Sequence, residues 1–373
     1  MRTCAYHCLF FATVFLLSCD FRIELPTPKE EKPGTLLYKT CSVNKFYWLD
    51  NDNILLDDRC EGSLKKVNAS TQAIRYISFA TDNRPMYMFY TQQVPNTIFY
   101  IAVKPANGSA PAQQSLFALD LTTNRTSTLR ENLAEIPALG YDGYGPFVLG
   151  GRKLGISRLI PPQFQPKLLV IDLQSGSTQA FSTADILQAF SPDDNQMLLH
   201  TAVRKQSGSR QTIAGSVTYD FGCQCSRSLP QTSLVDAFVG PGKANVVWQP
   251  QGLFGYSAVP VSEWSNQNTV QFYDLTSGRT LKSFTDVIDT PWASANSTWM
   301  ALWMASKDPN TPAYSSQGKL ITYDLVTQQT KVIFTGTCCN AAFNSDVTAV
   351  AFSPDHKKIA FVKGGALWVR DNR

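Results

Sequence analysis

The chain has 373 residues, a formal net charge of +4, 17% charged residues and 12% aromatic residues. A charge that small and that dispersed excludes the basic footprint of a nucleic-acid binder. With 43% hydrophobic residues the composition also excludes wholesale disorder and supplies a well-filled core.

In chain order, residues 1–19 read MRTCAYHCLFFATVFLLSC. One Arg is followed by an apolar run of secretory length, too short for a typical membrane span. The run ends in Leu16-Leu17-Ser18-Cys19, which resembles the bacterial lipobox. That resemblance implies a signal peptide over 1–18 and a lipidated Cys19 as the mature N-terminus. Residues 19–35 are charged and Pro-rich, the composition of a solvated tether. The expected location is the bacterial cell envelope, lipid-anchored to a membrane, with the folded part outside the cytoplasm in the periplasm. Asp20 resembles an inner-membrane retention signal of enteric bacteria; the choice between inner and outer membrane stays open.

From residue 36 the chain repeats. Seven short apolar runs end in Asn68, Asp120, Asp172, Asp220, Asp274, Asp324 and Asp371, at intervals of about 50 residues. The clearest copies are LFALDLTTNRTSTL (116–129), LLVIDLQSGSTQAF (168–181), VQFYDLTSGRTLKSF (270–284) and LITYDLVTQQTKVIF (320–334). Each reads as a hairpin in which the Asp caps backbone N–H groups of a turn rich in Thr, Ser, Gly or Asn. The position four residues earlier is apolar in six units, and Ser216 is the exception. A preceding hairpin is best seen in AFSPDDNQMLLH (189–200) and AFSPDHKKIAFV (351–362). Looser copies lie at 46–57, 247–257 and 292–303; register alone places two more at 77–89 and 139–149.

Two hairpins per unit predict an all-β chain, a seven-bladed β-propeller of four-stranded antiparallel blades over residues 36–373, with six to eight blades as the bounds. A β-sandwich is the rival, but sandwiches rarely keep so even a period. The AFSPD hairpins, each followed by a DL-type turn, resemble the WD40-like repeats of TolB-type propellers. This implies the fold and says almost nothing of function. TolB's α/β domain is not expected here, so its role is not carried over. The last unit ends after ALWVRD with three strands. TLLYKTC (35–41) is therefore expected to supply the fourth, closing the ring and covering an open edge.

Six cysteines remain after the leader and Cys19: Cys41, Cys60, Cys223, Cys225, Cys338 and Cys339. An even number in an exported protein favours disulfides, with Cys41–Cys60, Cys223–Cys225 and Cys338–Cys339 as local pairs. The Cys-x-Cys and Cys-Cys spacings do not suit zinc, and His200 and His356, both in or beside hairpins, are read as structural or solvated. No metal and no cofactor is expected.

The sequence contains neither G-x-S-x-G nor H-E-x-x-H. Gly150–Gly155 reads as a hairpin turn, not a phosphate loop, since no helix follows. The connections between second and third strands, Lys104–Ser115, Ile156–Lys167, Arg204–Gly215, Pro260–Asn268 and Lys307–Gly318, are long and polar. Long loops on one face of a repeat ring mark a binding face. Arg204, Lys205, Arg210, Trp264 and Tyr314 are the partner-binding candidates there, whereas Trp48, Trp248, Trp292 and Trp368 fall in strand registers and belong to the core. The leading expectation is a membrane-anchored scaffold binding an envelope protein or peptide. The alternative is a propeller enzyme or a glycan-binding protein acting on an envelope glycan or peptide; a structural lipoprotein component is a third possibility.

Overall fold

The structure, a computed structural model, describes residues 32–39, 43–58, 60–79, 85–104, 113–131, 133, 147–160, 165–181, 186–204, 211–229, 246–260, 267–294, 297–306, 317–337 and 347–372. Every regular element among them is a strand. The first blade is β2 (Val43–Trp48), β3 (Asn53–Asp58), β4 (Ser63–Asn68) and β5 (Ile74–Ile77). The second is β6 (Pro85–Tyr90), β7 (Thr97–Lys104), β8 (Gln113–Asp120) and β9 (Arg125–Arg130). The third is β10 (Phe147–Leu149), β11 (Lys153–Ile160), β12 (Gln165–Asp172) and β13 (Thr178–Phe181). The fourth is β14 (Ile186–Phe190), β15 (Gln196–Arg204), β16 (Gln211–Asp220) and β17 (Cys225–Ser228).

A seven-stranded sheet follows: β18 (Val246–Gln249), β19 (Gly252–Pro260), β20 (Gln267–Asp274), β21 (Arg279–Ala293), β22 (Trp299–Ser306), β23 (Gln317–Asp324) and β24 (Thr330–Thr337). Its long β21 pairs with β20 through its first part and with β22 through its last. It thus serves as the outer strand of the fifth blade and the inner strand of the sixth. The final sheet is β25 (Val347–Phe352), β26 (Lys358–Lys363), β27 (Ala366–Asp371) and β1 (Thr35–Lys39). With β21 shared, the described strands fall into sets of four, consistent with seven blades of a β-propeller.

All seven strand-end residues identified from the repeat close the third strand of their sets. The local chemistry is the same in each turn. The Asp or Asn carboxylate or amide oxygen accepts N–H bonds from the residues two and three positions on, as at Asp120 (2.7 and 3.0 Å) and Asp172 (3.0 and 2.8 Å). The fourth residue on has a positive φ, filled by Gln72, Asn124, Gly176, Gln224, Gly278 and Gln328. In six units the residue after the strand-end residue donates its N–H across to the other turn, as in Leu121 to Asn96 and Leu173 to Arg152 (both 2.7 Å), and in the fifth Leu275 donates to Leu253 at the start of β19. That bond ties the two short turns of each unit together on one face. Six of the apolar residues four positions earlier, such as Leu116 and Leu320, are fully buried between blades.

The ring closes as expected. β1 pairs antiparallel with β27, from Thr35 opposite Val369 to Lys39 opposite Ala366. Leu37 enters the core between the last and first blades with Phe46, Trp48, Ile54 and Val369. Beside it Tyr38 donates its hydroxyl to Asp58 (2.9 Å), whose carboxylate also receives Lys65 Nζ (2.8 Å). Lys65 reaches Glu61 as well (2.6 Å), is bonded to the Tyr38 hydroxyl, and its side chain is wholly buried. Burial alone would lower the Lys65 pKa; its bonds to Asp58, Glu61 and Tyr38 outweigh that and hold it above its ordinary value.

Two expectations need correction. The first hairpins of the second and third sets are β6–β7 and β10–β11, not 77–89 and 139–149. Those two lack the Ser-Pro-Asp turn that marks the register in the fourth and seventh sets. Two connections between second and third strands, Ile156–Lys167 and Arg204–Gly215, are also shorter than their polar composition suggests, because strand pairing runs on to Ile160–Gln165 and Arg204–Gln211, whereas pairing ends at Pro260–Asn268 as expected. Backbone pairing at these outer ends does not require apolar side chains.

Candidate functional site

The innermost strand of each blade leaves one backbone edge facing a central channel. At the short-turn end of that channel lies a cavity of about 590 Å³, within the range of small-ligand pockets. It is lined by residues of β2, β6, β10, β14, β18, the end of β21, β25 and the turns that follow several of them. Aromatic side chains dominate: Phe46, Tyr47, Trp48, Tyr90, Phe147, Phe190, Trp248 and Phe352. Four amides, Gln92, Gln93, Gln188 and Gln249, supply side-chain polarity, and among the described residues no ionisable acid or base contributes to the wall apart from the two tyrosines.

The mouth is braced by bonds between blades. Tyr47 donates to the carbonyl of Met88 and Tyr90 to that of Leu49 (both 2.8 Å), a reciprocal link between the first and second blades. Burial holds both phenols well above their ordinary range, Tyr90 at about 12. Trp48 Nε1 donates to Ala351 (3.1 Å), and Gln249 Nε2 to Ser294 (3.2 Å). Thr91 Oγ1 donates to the Gly151 carbonyl (2.6 Å), while Gln93 Nε2 passes over to Pro192 (2.9 Å).

The tightest brace is Asp194, in the Ser191-Pro192-Asp193-Asp194 turn. Asp193 makes the local contacts, accepting Ser191 Oγ (2.6 Å) and Asn195 N (3.1 Å). Asp194, at φ +59°, instead turns its carboxylate to the neighbouring blade. It accepts the backbone N–H of Gly151 (2.8 Å) and of Arg152, and its own carbonyl takes Lys153 Nζ (2.6 Å). Desolvation outweighs these bonds and raises its pKa. Gly150 and Gly151 permit the approach: a Cβ on Gly150 would strike Phe190 and Asp194, and one on Gly151 the Gln93 amide. Gly150–Arg152 is therefore a hairpin turn, as the sequence indicates, and no phosphate loop.

The sequence-derived candidates lie elsewhere. Lys205, Arg210, Trp264 and Tyr314 lie outside the described residues, as do Cys19, Cys41, Cys338 and Cys339. Arg204 ends β15 opposite Gln211, at the far end from the cavity mouth. Cys223 and Cys225 are joined in a disulfide, and Cys60 is disulfide-bonded to a partner beyond the described residues. Trp48 is core and cavity wall at once, Trp248 is partly buried in the wall, and Trp292 and Trp368 pack against the sixth–seventh blade core. His356 occupies the turn position equivalent to Asp194, with φ +59°. His200 is fully buried, its Nδ1 2.8 Å from Ser216 Oγ. The single polar residue in the apolar position of the repeat thus partners the buried imidazole opposite it. Among the described residues no cluster of three His, Cys, Asp or Glu side chains could hold a metal ion, and no helix is long and apolar enough to cross a membrane.

These features define the class: a β-propeller. The structure is similar to the tricorn protease (TM-score 0.55, 12% identity) over 94% of this chain, which spans only about a third (34%) of that one. It is also similar to the uncharacterised protein lmo1340 of Listeria monocytogenes (TM-score 0.51, 12% identity, 89% of this chain and 95% of that one). A TolB structure from Agrobacterium tumefaciens aligns over 92% of both chains at 9% identity but a TM-score of 0.36, which adds nothing to the fold assignment. No family model and no curated protein matches the chain. At these identities the likeness extends to the fold alone.

Proposed function

We propose that the protein is a lipid-anchored scaffold of the bacterial envelope whose propeller binds an extended, uncharged peptide segment of a partner protein at the short-turn mouth of its channel. The observation that carries this reading is the cavity wall, which combines eight aromatic side chains with four glutamines. Amides donate and accept as peptide groups do, and the inner strand edges add backbone donors and acceptors. A charged ligand would be buried there without a counter-charge, at a cost of several kcal/mol (roughly 2–7 even for a neutral polar group left unpaired). Support for the anchor is the lipobox-like Leu16–Cys19 and the Pro-rich tether. The loop-face set of Arg204, Lys205, Arg210, Trp264 and Tyr314 is the competing surface.

The same wall favours a second ligand, a neutral glycan, since aromatic rings and amides also suit sugars. Calorimetry with short uncharged peptides, charged peptides and neutral oligosaccharides separates these readings. Uncharged peptides should bind, charged ones should bind at least tenfold more weakly, and Trp248→Ala should weaken the peptide. Binding of oligosaccharides alone would replace the peptide by a glycan. Binding that survives Trp248→Ala unchanged would remove the cavity from the account.

A further inference from the structure

We propose that the Cys223–Cys225 disulfide is a thiol–disulfide exchange centre for a dithiol-bearing protein or peptide. The two sulfurs are bonded in the turn between β16 and β17, on the short-turn face. Both half-cystines are exposed, and a Cβ added at Gly222 would meet only the Asp220 carboxylate within 4 Å, so one side of the turn stands open.

The bond does little for the fold. Five sibling turns, after Asn68, Asp120, Asp172, Asp274 and Asp324, have the same course without any covalent link. In the Asp220 turn the usual bonds are all present. Asp220 Oδ1 accepts Gly222 N (2.8 Å) and Cys223 N (3.1 Å), Gln224 has φ +53°, and Phe221 N donates to Asn195 (3.0 Å). The stabilisation a disulfide gives through the unfolded chain grows with the loop it closes, and this loop holds a single intervening residue. A cross-link that the turn does not need, on an exposed tip, belongs to the labile class and not to the structural one.

The turn stands on a firm base. The Phe221 ring packs against Phe181, Phe190 and Tyr219, and Lys153 Nζ sits 4.6 Å from its centroid. The sulfurs are therefore presented from a fixed base on the short-turn face, in the turn that joins the two outer strands of the fourth blade.

The step is a two-electron exchange. A substrate thiolate attacks one sulfur of the pair; the Cys223–Cys225 bond breaks, a mixed disulfide forms, and the released cysteine thiolate takes up a proton. The substrate's second thiol, deprotonated, attacks the substrate sulfur of the mixed disulfide and frees the other cysteine. The substrate dithiol is oxidised to a disulfide and the pair is reduced to two thiols. The exchange requires no ligand in the cavity, so it stands apart from the peptide-binding proposal.

The test uses the full chain, with the Cys60 disulfide as an internal reference. Limiting reduced glutathione is added, thiols are trapped by alkylation, and each cysteine peptide is quantified by mass spectrometry over time. Cys223 and Cys225 should become alkylated at least tenfold faster than Cys60, and in a separate reaction without glutathione a reduced model peptide carrying two cysteines should become oxidised as the pair is reduced. The Cys223→Ser, Cys225→Ser double variant should lose the oxidation and keep the wild-type melting temperature. Reduction of the pair no faster than that of Cys60, or a melting temperature several degrees lower in the double variant, would make the bond a structural staple and overturn the proposal.

Discussion

Replacing Leu37 by Ala should open the ring at its seam while leaving the rest of the protein folded. Leu37 is 5% exposed and sits in the core shared by the last and first blades; Leu36, next to it on β1, is 40% exposed. Truncating a buried leucine costs about 2–5 kcal/mol through lost transfer energy and the cavity left behind. Exposed truncations away from special features stay within about 0.5 kcal/mol. β1 is short and held to β27 on one side only, so the loss should appear as detachment of this strand. A cost of about 2–4 kcal/mol raises the detached population roughly 30- to 700-fold, at about 1.4 kcal/mol per decade. Hydrogen exchange at the β27 amides should accelerate by that factor in Leu37→Ala and hardly at all in Leu36→Ala. β12, in the third blade, is the reference and should keep its protection. Equal effects of the two substitutions, or equal loss of protection in β12, would refute the reasoning that the N-terminal strand is a separable closure.

Three further outcomes follow from buried polar groups. Lys65→Met leaves the Asp58 carboxylate buried without its ammonium and should cost about 3–5 kcal/mol in urea unfolding; because the folded pKa of Lys65 is raised, its contribution in the wild type should hold below pH 10.5 and fade only as pH climbs through that raised value. His200 behaves oppositely: burial lowers its pKa from 6.5 to about 4, so stability should be full above pH 6.5 and fall by about 1.4 kcal/mol per pH unit, about 3 kcal/mol in all, down to pH 4. Replacing both His200 and Ser216 by Leu should remove this acid-side slope, and an unaltered slope would assign it to other groups. Asp194→Ala should cost about 2–4 kcal/mol, since two backbone N–H groups lose their acceptor and Ala must hold a positive φ; unchanged stability would show that the blade-to-blade brace at the mouth is idle.

Local chemistry was legible in the sequence and long-range contact was not. The strand-end Asp residues could be read because the bonds they accept come from residues two and three positions on, inside the same short segment. The closing strand could be read because TLLYKTC (35–41) is a β-like run that lies before the first hairpin and belongs to none of the seven units. The AFSPD motif marked a turn, but the role of its second acidic residue, Asp194, depends on Gly151 and Arg152, some forty residues away in a different blade. Nothing in the sequence sets Lys65 apart from the adjacent Lys66; its partners are Asp58 and Glu61 and the Tyr38 that arrives with the closing strand. Ser216 did announce itself as a break in the apolar pattern, and pairing it with His200 needed only the β15–β16 register. Nothing in the sequence marked β21 as one strand serving two blades. The cavity was missed because attention to long loops favours the opposite face, whereas its wall is built from ordinary inner-strand residues.

The central claim is that the channel mouth on the short-turn face takes an extended peptide segment. Photo-crosslinking amino acids placed singly at Pro250, an exposed residue of the cavity rim, and at Trp264 and Tyr314 on the loop face test it in the native envelope. After irradiation, the cross-linked peptides are identified by mass spectrometry with and without an excess of a short uncharged competitor peptide. The account predicts that Pro250 captures one defined, uncharged segment of a partner protein and that the competitor abolishes this product. Cross-links to a defined partner segment from Trp264 or Tyr314, with none from Pro250, would contradict it.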